Sequence, residues 1–535
     1  MDKVKFFKKI KKQLNRFTGY IKKNPAEFIL LILLLAIASF LRFYKIGQYM
    51  TFLGDEGRDA IIVRRFLVDF DLMLIGPGTS VGNMYLGPLY YYMMAPALWL
   101  FNYSPLGPAF QIAVLGVITV LIVWLITKEW FGKKGAFIAA LLYSISPTVI
   151  IYSRSSWNPN IMPFFSILSI YSIWRIWKKL DLKWLLGLGI FLAFALQSHY
   201  LGLLLFPIIG VFYLLTVIKL WPRKKNLDKT KEKIFYKRER KLFIKFSLIG
   251  LSTFLFLMSP LVIFDARHGW RNISSIEKFF TERQTTVSAR PWTAIPKIPE
   301  ITQEISSRLI GGKNIPIGGW VLVIVSVFSF VILVTKKKFK ENEVSAYTIL
   351  FIWIFFAIIG FGIYKQEVYD HYYGFFFTAP FVLVGGLFED LLNRSKKFGK
   401  MFIWILVSIL VYLNILENPF KYNPNNQLGR SEKVAQKIKE EYDNQPFNLA
   451  VIAERNYEDG YQYFLEKMKL PVTDIDAQRS DETIKDQLFV VCELPKEKCD
   501  PTHSPKAEVA NFGWSNIEEE WELEGIVLFK LIHSQ

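Results

Sequence analysis

In this chain of 535 residues, 52% are hydrophobic, 16% are aromatic and 47 are Phe, a composition that excludes an ordinary soluble enzyme or a disordered chain. The net charge of +19 is uneven: residues 417–535 carry 14 basic and 23 acidic side chains, so the remainder is strongly basic. Those basic residues are spread over six loops instead of one face, which excludes nucleic acid as a partner and points to anchoring against anionic membrane lipids.

Residues 1–26 form a basic N-terminus. Apolar segments follow near 27–45, 107–127, 136–152, 161–177, 184–199, 201–218, 244–263, 318–335, 345–363, 372–391 and 401–417. Each approaches the roughly 20 residues that cross about 30 Å of hydrocarbon, the shorter ones needing tilt or help from neighbouring helices. With the N-terminus inside, it and the loops near 128–134, 175–183, 219–245, 336–340 and 394–400 hold 36 Lys and Arg, against 13 in the opposite loops before residue 417. That bias sets the orientation of a multi-pass membrane protein. Lys225 and Lys338 are then expected in the cytoplasm, and Asp55, Trp292 and Cys492 outside. The first apolar segment lacks a clean cleavage motif after AIAS and is expected to remain as a span.

Residues 86–101 are apolar enough to span, but counting them would place Lys128, Lys133 and Lys134 outside and reverse every later loop. They are expected to lie in the outer interface, where Tyr and Trp are stable. The outer loop 264–317 is longer than a passive connection and is expected to act as a lid. Residues 27–417 thus form a membrane domain with outer loops 46–106 and 264–317. Residues 418–535 form an extracytoplasmic α/β domain, with strands expected at 448–454, 487–494 and 525–532 and helices at 431–444 and 460–468. Cys492 and Cys499 are either bonded, as an oxidising exterior permits, or free thiols.

Asp55 and Glu56 open the first outer loop just beyond the first span, where a lipid head group would be presented. An acidic pair is also what the dipole favours at a helix start, so the pair alone does not decide. Its company does: a Pro88-Leu89-Tyr90-Tyr91 helix, then Ser146-Pro147 and Ser153-Arg154. In this order and topology the chain resembles the GT-C glycosyltransferases, and within them is similar to the protein O-mannosyltransferases and the lipid A aminoarabinose transferase. The likeness is clearest over roughly residues 30–210.

The resemblance implies a GT-C-like polytopic α-helical membrane protein of about 11 transmembrane helices that uses a polyprenyl-phosphate sugar donor. Transfer would go to a hydroxyl of a lipid, glycan or protein acceptor on the outer face. Asp55 takes the family's place of the catalytic base in an inverting displacement, with Glu56 beside it. Asp59, one turn on, serves as a control position whose neutralisation should leave most activity. Arg58, Arg154, Asn158, His199, Arg267, His371 and Tyr372 are candidate substrate-binding residues, drawn from outer loops that could meet the leaving phosphate.

The chain departs from the aminoarabinose transferase at Tyr85-Leu86-Gly87-Pro88, where that enzyme has a Lys. The second outer loop reads Trp157-Asn158-Pro159-Asn160, with Asn where relatives often carry an acid. Asn is a poor ligand for a hard cation, so no cofactor is required by this reading, and a divalent metal, though open, is not supported. The alternatives are a lipid-linked glycan polymerase or ligase, which shares the lipid-linked donor, and a transporter or flippase. The absence of an internal repeat and of paired broken spans argues against the latter.

Overall fold

The computed structural model describes all residues except 1–18, 20, 80–83, 223–229, 282–286, 289, 336–339 and 535. Lys225 and Lys338 therefore lie outside the described residues.

Apolar composition over lengths of 15 to 25 residues favours helices, because only a helix satisfies its own backbone in hydrocarbon. A helix stands at each of the eleven expected positions, from Pro25–Phe43 to Lys397–Leu416. Among the described residues six are long and apolar enough to cross a membrane, or seven if Asp370–Phe376 and Thr378–Arg394, bent by 61°, make one span. The remainder fall short for local reasons. Lys133–Ile145 has 13 residues because Ser146 and Pro147 break it, Pro147 opening a separate turn, Pro147–Ile151. Trp184–Ser198 has 15 residues and ends where His199 turns extended.

Polar contacts gather the basic loops at one end of the bundle. Lys133 bonds Asn24 and Glu27, both at 2.8 Å, and Lys134 bonds Asn393 at 3.0 Å. Lys178 pairs with Glu341, and Lys219 reaches the Trp177 carbonyl at 3.1 Å.

At the other end lie the loops that carry the candidate site. Residues 86–101 give a 12-residue helix, Leu89–Leu100, too short to span. Its Tyr90 hydroxyl meets Ser156 Oγ at 2.6 Å, which ties the first outer loop to the second, and its Tyr91 hydroxyl donates to Asp59 at 3.0 Å, which ties this helix to the start of its own loop. Loop 264–317 is largely helical: Arg271–Thr281 begins where the Asp265 carboxylate accepts the Asn272 N–H at 2.6 Å, and Ile298–Leu309 follows. Asn272 accepts the Tyr85 N–H at 2.8 Å, which ties this loop to the first.

The α/β domain sits on the same end. It has four strands, β1 (Asn448–Ile452), β2 (Gln487–Cys492), β3 (Ser515–Leu523) and β4 (Ile526–His533), in the order β1-β2-β4-β3. β1 and β2 are parallel and the other pairs antiparallel. β3 was not expected from the sequence, whereas β1, β2 and β4 coincide with the three apolar runs. Cys492 and Cys499 form a disulfide, which closes the alternative the sequence left open. Helix Asp459–Lys467, which precedes β2, packs on helix Gly54–Asp69 of the membrane domain.

Candidate active site

The Gly54–Asp69 helix is placed by its first turn. Thr51 N–H reaches Ser155 Oγ at 3.0 Å, Phe52 N–H reaches Gln427 Oε1 at 3.0 Å and Gly54 N–H reaches Asn456 Oδ1 at 2.9 Å. The helix start is thus fixed by the second outer loop on one side and the α/β domain on the other.

Successive residues on a helix point about 100° apart, and this separates the acidic pair. Asp55 lines a polar cavity of about 340 Å³, with its side chain 41% exposed. Glu56 turns inward, is buried, and accepts the Leu53 N–H at 3.1 Å, so it caps the helix and does not touch the cavity. Burial pushes its carboxyl up to about 8, against the pull of the Leu53 backbone bond.

Arg58 lines the same cavity. Its Nη1 donates to Asp55 Oδ1 and its Nη2 to Asp59 Oδ1, both at 2.8 Å. Asp59 is fully buried, and burial raises its carboxyl to about 6 while Arg58 opposes the rise. These carboxylates hold the Arg58 guanidinium protonated despite its own desolvation.

Asn158, His199, His371 and Tyr372 line the cavity with them. Asn158 Nδ2 donates to the Ser198 carbonyl at 2.6 Å, which leaves Oδ1 as an acceptor. His199 Nδ1 accepts the Leu201 N–H at 3.2 Å, so in the neutral ring the proton sits on Nε2 as a donor. His371 packs on Trp157, ring centres 4.5 Å apart. Six of the nine sequence-derived candidates are thereby brought to one cavity.

Besides Glu56, two candidates lie elsewhere. Arg154 is buried against the end of the first span, donating to the carbonyls of Leu41 (2.9 Å) and Tyr44 (2.6 Å) with its guanidinium 4.7 Å from the Phe420 ring centre. Arg267 is exposed at the end of the helix Thr230–Arg267 and does not line the cavity.

The far wall is a short hairpin in which Gly76 N–H meets Leu86 O at 2.7 Å and Leu86 N–H meets Pro77 O at 2.9 Å. Gly87 is required there: a Cβ would stand 1.9 Å from Gln197 Oε1, the acceptor that receives the Leu89 N–H at 3.3 Å. Thr79, Leu86 and Tyr200 belong both to this cavity and to a second one of about 170 Å³, whose lining is almost wholly apolar and includes Leu203, Met258 and Leu261.

Sequence reasoning did not find Tyr457, whose hydroxyl donates to Asp55 Oδ1. No local pattern marks it, because it is 402 positions away. It also did not find the role of Asp59, which the Tyr91 contact could have suggested only once the fold was known. Among the described residues no group of three His, Cys, Asp or Glu is arranged to hold a metal.

Comparison with known proteins agrees with this architecture. A family model described as dolichyl-phosphate-mannose-protein mannosyltransferase matches residues 86–227. YkcB of Bacillus subtilis (strain 168), a putative mannosyltransferase, is 24% identical over 197 residues, 36% of this chain and 27% of that protein, so the match spans about a quarter of the relative. ArnT from Cupriavidus metallidurans bound to undecaprenyl phosphate superposes with a TM-score of 0.60 at 12% identity, covering 93% of this chain and 97% of that one. AglB, the oligosaccharyltransferase of Archaeoglobus fulgidus, in complex with an inhibitory peptide and a dolichol-phosphate, superposes with a TM-score of 0.52 at 15% identity, covering 89% and 70%. With its helical bundle, first-loop helix and terminal α/β domain, the chain has the fold of the GT-C membrane glycosyltransferases.

Proposed function

We propose that the protein is an integral-membrane glycosyltransferase that moves a sugar from a polyprenyl-phosphate donor to an acceptor hydroxyl on the outer face, with Asp55 as general base. The observation that supports this reading is the pair of adjacent cavities, which have Thr79, Leu86 and Tyr200 in common. A polar chamber holding Asp55 shares a wall with an apolar one, which suits a ligand with a sugar-phosphate head and a hydrocarbon tail. The undecaprenyl phosphate bound to ArnT and the dolichol-phosphate bound to AglB are ligands of that chemistry.

In the proposed step the acceptor oxygen attacks the anomeric carbon while Asp55 takes its proton. The bond from that carbon to the phosphate oxygen breaks, the electron pair leaves with the phosphate, and the configuration inverts. Asp55 Oδ1 is held by Arg58 and Tyr457, whereas Oδ2 has no donor among the described residues and is the atom available for the proton. The Nε2–H of His199 and the phenol of Tyr372 would donate to the departing phosphate, and Asn158 would accept from a sugar hydroxyl; that all three line the cavity with Asp55 supports these roles.

Asp55→Asn keeps the size of the side chain but cannot take the proton. With purified protein in liposomes and labelled undecaprenyl-phosphate sugars, it is expected to lower kcat by about 10² to 10⁴. Near wild-type turnover by this variant would remove Asp55 as the base.

A further inference from the structure

The α/β domain contributes to the site through one loop. Asn456 Oδ1 accepts the Gly54 N–H, and Asn456 Nδ2 donates to Glu493 at 2.6 Å, an acid that also receives the Tyr461 hydroxyl at 2.6 Å. This network sets Tyr457 over the first turn of the catalytic helix. The fit leaves no room: a Cβ at Gly54 would stand 2.3 Å from the Tyr457 ring, and one at Gly57 would stand 2.3 Å from the backbone of Asp459 and Gly460. The two glycines that flank Asp55 and Glu56 are what allow the domain to approach.

We propose that Tyr457 is a positioning residue which, by donating its phenol hydrogen to Asp55 Oδ1 from the α/β domain, fixes the carboxylate so that Oδ2 takes the acceptor proton. The inference rests on the reading of Asp55 as base and adds a second domain to the machinery. Arg58 and Tyr457 converge on one oxygen from two different domains, and this fixes the carboxylate plane better than either donor alone. The charged and titratable groups that interact electrostatically with Asp55 are Arg58, Glu56 and Asp59 from its own helix, Tyr457 from the α/β domain and His371 from the segment Asp370–Phe376. Of these only Arg58 and Tyr457 donate to the carboxylate.

Tyr457→Phe keeps the ring over Gly54 and removes only the donor. The full-length protein in detergent is treated with a water-soluble carbodiimide and glycine ethyl ester across pH, and modification of Asp55 is read by peptide mass spectrometry. Losing a donor to the charged form should raise the midpoint pH of Asp55 modification by about 1 unit. In liposomes supplied with undecaprenyl-phosphate mannose, kcat should fall about tenfold while the donor KM stays within about twofold, since orientation and not binding is lost. An unchanged midpoint, or an unchanged kcat in protein that is active as wild type, overturns the proposal. Arg65→Gln breaks the ion pair to Glu466 at 2.6 Å and so loosens the domain contact, while leaving the Asn456 network and the phenol in place; if it moves the midpoint as far as Tyr457→Phe does, the effect is general loosening and the proposal also fails. If the midpoint moves as expected but the wild type transfers no sugar from any polyprenyl-phosphate donor, Tyr457 still positions Asp55 and the glycosyltransferase reading is what fails.

Discussion

Three carboxylates within five residues, Asp55, Glu56 and Asp59, have three different situations. Asp55 faces a cavity, Glu56 caps a helix and Asp59 is buried between Arg58 and Tyr91. Asp59 is therefore not the neutral control that its spacing suggests. Asp59→Asn removes a buried charge-assisted contact and is expected to lower stability by about 1–3 kcal/mol and transfer with it, read as a lower melting temperature in detergent. Glu56→Gln is expected to be mild, because the amide oxygen can still cap Leu53.

The pH dependence follows with a definite sign. Glu56 at about 8 and Asp59 at about 6 lie above their unfolded values near 4, so the folded state binds more protons over that range. Their contribution to stability is full below about pH 4 and is lost as pH rises toward 8. The melting temperature of the wild type relative to Glu56→Gln should therefore fall between pH 6 and 8. A difference that is flat or grows with pH would show that Glu56 ionises normally. At this scale Asp55 could be picked out by its place among ordered motifs, and Asn158, His199 and His371 only by their positions in outer loops; all four line one cavity. Arg154 was misleading because a motif Arg can equally staple backbone carbonyls, and Tyr457 was silent because its meaning depends on a contact between domains.

At the scale of elements, hydropathy located the eleven apolar helices, because the requirement for internal backbone bonding leaves no other structure for such segments; it did not mark the 16-residue helix Gly54–Asp69, which is amphipathic. Charge bias rightly demoted residues 86–101: a helix of 12 residues rises about 18 Å, well under the hydrocarbon thickness. β3 escaped notice because its sequence, SNIEEEWEL, has acidic residues exposed on both faces and so no alternation. The packing of helix Asp459–Lys467 on helix Gly54–Asp69 was equally invisible, since glycine in a helix reads as a weakness until the neighbour is known. Gly57→Ala tests this contact. Its Cβ would meet backbone rather than a flexible side chain, so about 1–3 kcal/mol of overpacking strain is expected, with reduced transfer. Gly460→Ala, whose Cβ would approach Leu53 only to 3.3 Å, should be milder in the same melting and transfer assays. Equal behaviour of the two variants would mean that the interface is looser than the contacts indicate.

For the whole molecule, two independent features point to one orientation. The basic loops interlock at one end through Lys133, Lys134, Lys178 and Lys219, whereas the cavity, the disulfide-bonded α/β domain and loop 264–317 lie at the other. By the positive-inside rule the first end would face the cytoplasm, and a disulfide, which forms in an oxidising compartment, would put the second outside; we propose this orientation. Cys492 and Cys499 are bonded to each other, so an introduced cysteine is read against little background. In intact cells a membrane-impermeant maleimide should label a cysteine at the exposed Trp292 and spare one at Lys133 until the membrane is opened. Labelling of Lys133→Cys but not Trp292→Cys would invert the molecule, place Asp55 in the cytoplasm and replace the proposed outer-face transfer with transfer on the inner face.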